Sequence, residues 1–185
     1  MTVDNDAMEA VRERLSALAG QPPLRHSKIG QANPAALALA VPHRIFTLGV
    51  GELVDGTPIE QARPVAQGFL VLDGIVPIAN AEVTLVGGFI TVSEGPFVEA
   101  LRRAIDLVDG PAVGVTSEVR VLRLPEVQVV ALWLHQAGGP GDVLVPLAPT
   151  PKEIDAYRPY RPEELSAALA VVAGRHRDPP PRSGG

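Results

Sequence analysis

The chain has 185 residues, of which 46% are apolar and only 4% aromatic, with a formal charge of −5 and a pI near 5.4. That length supports one full hydrophobic core burying roughly 70% of the unfolded surface. The acidic balance argues against general nucleic-acid binding, which needs Lys and Arg to neutralise phosphates, and the absence of cysteine excludes disulfides, thiolate nucleophiles, Cys-ligated zinc and iron–sulfur clusters.

Only Lys28 and Lys152 are lysines among the 16 basic residues, the habit of a bacterial GC-rich composition. The opening MTVDNDAMEAVRERL is acidic and polar rather than signal-like, and no stretch reaches ~18 uninterrupted apolar residues. A soluble cytoplasmic protein with no membrane and no nucleic-acid partner is expected.

In chain order, Asp4 or Asn5 can cap a helix whose Met8, Val11, Leu15 and Leu18 form one stripe, ending at Gly20. Residues 20–42 read as an irregular Pro/Gly-rich connection. Within it, 35–41 stays open: Asn33–Pro34 can start a short helix, while Leu37, Leu39 and Val41 alternate as in a strand. From His43 the pattern turns to β, with glycines in GVGELVDG and a turn at Asp55–Gly56. That run lacks GxGxxG spacing and a following helix, so no phosphate cradle is expected. Apolar runs follow, split by Asp73–Gly74, Asn80 and Gly87–Gly88, and two or three strands joined by tight turns are expected.

SEGPFVEALRRAIDLVDG is the clearest helix, with Pro96 first, Phe97, Leu101, Ala104, Ile105 and Val108 on one face, a Glu99–Arg103 pair on the other, and Asp109–Gly110 as its end. β segments surround Pro125, and DVLVPLAP gives another. A last helix opens at Pro162, runs through Leu165, Leu169 and Val172, and stops at Gly174; residues 175–185 form a disordered tail. Strands come in clusters, which predicts a single α+β domain over 1–174. Its antiparallel sheet has about five to seven strands in two clusters, with an N-terminal, a central (about 96–108) and a C-terminal helix. Small acidic α+β chains that serve secretion systems as chaperones share this element order in layout only, with no residue match.

In VQVVALWLHQ, Val127, Val129, Ala131, Trp133 and His135 share one face, and Val130, Leu132 and Leu134 the other. Two apolar faces need two covers: another helix, the proline-rich segment, or a second copy of the chain. Homodimerisation through the sheet is the leading expectation.

No histidine stands in a metal-ligand spacing, the GxSxG elbow is absent, and Ser93 and Ser117 sit where hydroxyls cap or turn the backbone. Glu52, Asp55, Asp73 and Glu82 can supply paired carboxylates, although Asp55 and Asp73 precede glycines and fit turns. A zinc or iron site would need distant residues, and His43, His135 and an acid such as Asp142, Glu52 or Asp55 can converge, although strand-end histidines more commonly just terminate a strand. A pocket is expected near Trp133, His135 and Asp142, between helix 96–108 and the sheet. Gln136–Gly141 reads as a hairpin loop between two interior strands. Tyr157, Arg158, Tyr160 and Arg161 either dock an acidic partner or pin the segment before the last helix. These residues imply no cofactor. They imply a non-enzymatic, chaperone-like protein-binding or assembly subunit acting as a homo-oligomer, with the sheet face or the proline-rich segment open to another protein. The competing expectation is a small-molecule-binding or hydrolytic domain around Trp133, His135 and Asp142.

Overall fold

Side chains alternate across the strand over Val129–His135, and apolar residues point both ways. In the computed structural model, which describes residues 5–19, 26–86, 88–108, 117–137 and 141–177, helices of the same chain cover both sides. The strands are β1 (Leu37–Thr47), β2 (Arg63–Asp73), β3 (Val76–Val83), β4 (Phe89–Ser93), β5 (Glu118–Leu124), β6 (Val129–His135) and β7 (Val143–Pro146). They form one seven-stranded sheet in the order β4-β3-β2-β1-β5-β6-β7.

The expected two clusters are two antiparallel meanders, β1 to β4 and β5 to β7. The sheet is nevertheless mixed rather than purely antiparallel, because β1 and β5 join the clusters in parallel, with Arg44–Thr47 beside Arg120–Arg123. Thr47 Oγ1 reinforces the seam by donating to the Arg123 carbonyl at 3.0 Å, across 76 positions of sequence. Hairpins announce themselves through turn residues; a parallel pair made at that distance leaves no local signal.

Among the described residues five helices accompany the sheet: α1 (Asn5–Leu18), α2 (Lys28–Gln31), α3 (Val50–Val54), α4 (Pro96–Val108) and α5 (Pro162–Arg177). α4 lies on one face, where Val98, Leu101 and Ala104 pack on Ile45, Leu70, Val121 and Leu132. The opposite face is shared. α1 sets Val11 and Leu15 on Phe69, Val71 and Ala81, and α5 sets Leu165, Leu169 and Val172 on Leu122, Val129, Ala131 and Trp133. The second cover demanded by the two-sided apolar strands thus comes from within the chain.

Several local expectations shift. The irregular connection stops at residue 36 rather than 42. Asn33 accepts the Ala35 N–H at 3.0 Å to start a single 3-10 turn over Pro34–Ala36, and β1 begins at Leu37, so both alternatives for 35–41 occur in succession. A short helix, α3, lies inside GVGELVDG, between Gly49 and Gly56, its start held by the Gly49 N–H donating to Glu52 at 2.7 Å. On α4, Glu99 pairs with Arg102 and Lys28 at 3.6 Å each, while Arg103 stacks on the Tyr157 ring at 4.3 Å instead of pairing with Glu99. α5 runs through Gly174 to Arg177. Asp4, Gly20, Asp109–Gly110 and residues 178–185 lie outside the described residues. No helix among the described residues is long and apolar enough to cross a membrane.

The two sheet edges differ. β7 is the last strand, not an interior one, yet its outer side is closed: Leu144 and Tyr160 exchange backbone hydrogen bonds of 2.9 and 2.8 Å, and the Tyr157 N–H donates to the Pro146 carbonyl at 2.8 Å. Nothing among the described residues pairs with the outer side of β4.

In β1, a bulge between Ala40 and His43, with Val41 at φ 45°, turns His43 onto the α4 face opposite Gly68. A β-branched residue there stores strain of about 1–3 kcal/mol. A Cβ on Gly68 would lie 2.2 Å from His43 Nε2, so only glycine leaves room for the fully buried ring. Gly68→Ala is expected to lower the unfolding free energy by about 1–3 kcal/mol. In a His43→Ala background the same change should cost clearly less, as read by urea denaturation of the four-member cycle.

Candidate functional site

Leu134 of β6 faces Val143 of β7, so the next pair outward sets Asp142 against His135. Asp142 accepts from Trp133 Nε1 at 2.6 Å, from His135 Nδ1 at 3.0 Å and from the Gln136 N–H at 3.1 Å. Burial alone works against its charge, but the hydrogen bonds from His135, Gln136 and Trp133 prevail and hold its carboxyl below the ordinary value. Because Nδ1 donates to the carboxylate, Nε2 of His135 is the basic nitrogen. The ring is about 30% exposed, whereas Trp133 is fully buried.

Around this trio, Arg120 spreads its guanidinium over the Trp133 and Phe46 rings at 4.8 and 4.9 Å and donates to Glu118 at 2.7 Å. Glu118 lies directly across from His135 on the same face and approaches Arg44 at 3.9 Å. An imidazole oriented by a carboxylate is the arrangement of a general base. Among the described residues no hydroxyl is hydrogen-bonded to His135, and no group of three or more His, Asp or Glu residues could hold a metal ion. What the trio visibly does is tie the β6–β7 hairpin shut over the sole tryptophan.

The expected convergence of His43 with His135 and Asp142 does not occur. His43 points to the α4 face, as Ile45 does, and the Trp133 trio points to the face that α5 covers. For the same reason the expected pocket between helix 96–108 and the sheet is not lined by Trp133, His135 and Asp142. Strand alternation fixes this: residues of even offset share a face, but the bulge at Val41 and Pro42 reverses the count along β1.

His43 belongs to a second polar cluster, of which sequence reasoning named His43 and Glu82 without bringing them together. Arg123 grips Glu82 with two hydrogen bonds, at 2.8 and 2.5 Å, and Asn80 Nδ2 donates to the same carboxylate at 3.0 Å. Asn80 is fully buried and Glu82 nearly so. The available signal was an amide and an acid two positions apart in an otherwise apolar strand, a face that only another buried charge can satisfy. His43 Nδ1 donates to the Val41 carbonyl at 2.8 Å, while Nε2 and the Asn80 Oδ1 have no hydrogen-bond partner among the described residues. Burial pushes the His43 pKa down from 6.5 to about 4, despite the Val41 carbonyl and the Glu82 charge, which favour the proton, with Arg123 opposing it.

Of the arginine and tyrosine group, Tyr160 is buried and accepts the Asp155 N–H at 2.9 Å, with Arg158 over its ring at 4.7 Å. Tyr157 adopts φ 63° beneath Arg103, and the Arg161 N–H donates to Glu164 at 3.2 Å at the start of α5. These contacts pin the segment against β7. Asp55 and Asp73 lead into turns whose Gly56 and Gly74 take φ 80° and 61°. Concave surface lies elsewhere: a groove of about 490 Å³ runs between α5 and residues 53–60, and a smaller one of about 380 Å³ lies by Pro149, Thr150 and Arg175. No protein-family model, curated protein or solved structure matches the chain.

Two outcomes follow from these clusters. The depressed His43 pKa means that the unfolded chain takes up the proton more readily. The stability linked to it is therefore whole above pH 6.5 and falls by up to about 3 kcal/mol as pH drops to 4. Urea midpoints measured from pH 7.5 to 4 should show that slope, and His43→Gln should flatten it. Separately, Asp142→Ala leaves the buried Trp133 N–H without an acceptor, with an expected cost of about 1–3 kcal/mol. The fluorescence of the single tryptophan reports it.

Proposed function

We propose that the chain is a non-enzymatic, chaperone-like protein-binding or assembly subunit acting as a homodimer whose two copies join through the outer edge of β4. The observation that carries this reading is the contrast between the edges: β7 is closed by the Tyr157–Tyr160 segment, while β4 presents unpaired backbone among the described residues. Such an edge is a template for another strand unless charge, proline or a cover protects it. The sequence of β4, FITVS, contains neither charge nor proline.

A two-fold axis through an antiparallel pair sets the central residue opposite itself, which a charged residue could not tolerate. In β4 that residue is the exposed Thr91. The same pairing brings each turn at Leu85 and Val86, which are 50% and 92% exposed, alongside the Ser93 end of the other copy and enlarges the apolar contact. The sheet faces, already covered by helices, serve in this reading as a rigid scaffold.

A second reading, a small-molecule-binding or hydrolytic domain, is favoured by one observation: Asp142 fixes His135 with Nε2 as the basic nitrogen on a partly exposed ring.

Light scattering at tens of micromolar is expected to give twice the chain mass for the wild type and the chain mass for Thr91→Lys, with the circular dichroism spectrum unchanged. A monomeric wild type, or a Thr91→Lys variant that still dimerises, refutes the edge-to-edge assembly. A monomer stabilised by a metabolite, with the stabilisation lost in His135→Gln, favours the second reading instead.

A further inference from the structure

We infer that the groove between α5 and residues 53–60 receives the apolar anchor residues of a basic segment from a partner protein. The inference rests on reading the chain as a protein-binding subunit, and it names the chemistry of what is bound. On one side the groove is walled by Ser166, Ala167 and Ala170 of α5, side chains small enough for another chain to come close. On the other side stand Val54, Thr57 and Pro58, with buried Leu53 at the floor. Val54, 39% exposed, adds apolar surface to that wall.

Charge identifies the occupant. Among the described residues two carboxylates, Glu60 and Glu163, line the groove, both exposed, and no Lys or Arg does. Neither takes part in an ion pair among the described residues, unlike nearby Glu52, which holds Arg63 at 3.0 Å. A ligand of matching chemistry is apolar at its centre and cationic at its ends. From Glu163 to Ala170 the α5 wall is about 10 Å long, which accommodates two side chains one helical turn apart. The volume of about 490 Å³ agrees with that. An amphipathic helix that carries leucines four positions apart and lysines beside them meets each requirement.

The test uses the full chain and three labelled 15-residue peptides followed by fluorescence anisotropy: a Leu/Lys amphipathic helix, the same leucine pattern with Glu, and the lysine pattern with Ser for Leu. The Leu/Lys peptide is expected to bind saturably, one per chain and at least tenfold tighter than the other two. Ala170→Trp, which fills the groove from an intermediate-exposure helix position, should weaken that binding at least tenfold while mass and circular dichroism stay unchanged. The double variant Glu60→Lys/Glu163→Lys should reverse the preference towards the Leu/Glu peptide.

Equal binding of the Leu/Lys and Ser/Lys peptides, or binding that survives Ala170→Trp, would show a general attraction to an acidic surface and overturn the inference. So would the absence of binding. A wild-type dimer that ignores every peptide overturns the groove and leaves the β4 assembly standing. A monomer that binds the Leu/Lys peptide does the reverse.

Discussion

β5 and β6 bury apolar side chains on both faces, so the sheet is stable only when a helical layer lies on each side of it. Everything else in the molecule answers that constraint. α4 supplies one layer, and α1 with α5 supplies the other, each covering one meander. The parallel seam between β1 and β5 makes the two meanders one sheet.

A doubly covered sheet leaves little water for polar side chains, and both polar clusters show how the chain satisfies them. Glu82 is matched by Arg123 and Asn80, so its charge is compensated where it is nearly buried. His43 is accommodated as a neutral ring, its one N–H given to a carbonyl of its own bulge and its volume accepted by the missing side chain of Gly68. At the hairpin end, Asp142 gathers three donors, one of them the indole of a tryptophan with no other way to satisfy its N–H. These groups account for the local geometry without invoking a reaction.

With the faces occupied, the routes left for binding another chain are the edges and the grooves between covering elements. The segment around Tyr157 and Tyr160, one of whose two expected roles was to dock an acidic partner, closes the β7 edge through Tyr160. The β4 edge, unpaired among the described residues, and the groove with two carboxylates beside α5 lie at different parts of the sheet order, so the proposed self-assembly and the proposed partner capture need not compete.

The sequence by itself determined the α+β class, the two strand clusters and the three long helices. It also determined the two faces of β6, because periods of 3.6 and 2 and turn residues such as Gly74 are local properties of the chain. It placed Trp133, His135 and Asp142 together, since a hairpin brings its own flanks into contact. Only the tertiary structure decided the parallel seam, the opposite faces of His43 and His135, the closing of the β7 edge by the Tyr157–Tyr160 segment, and the partners of Arg103 and Arg123. Each of those depends on residues far apart in sequence, or on one bulge that inverts the alternation. Packing selects such arrangements globally, and no window along the chain contains them.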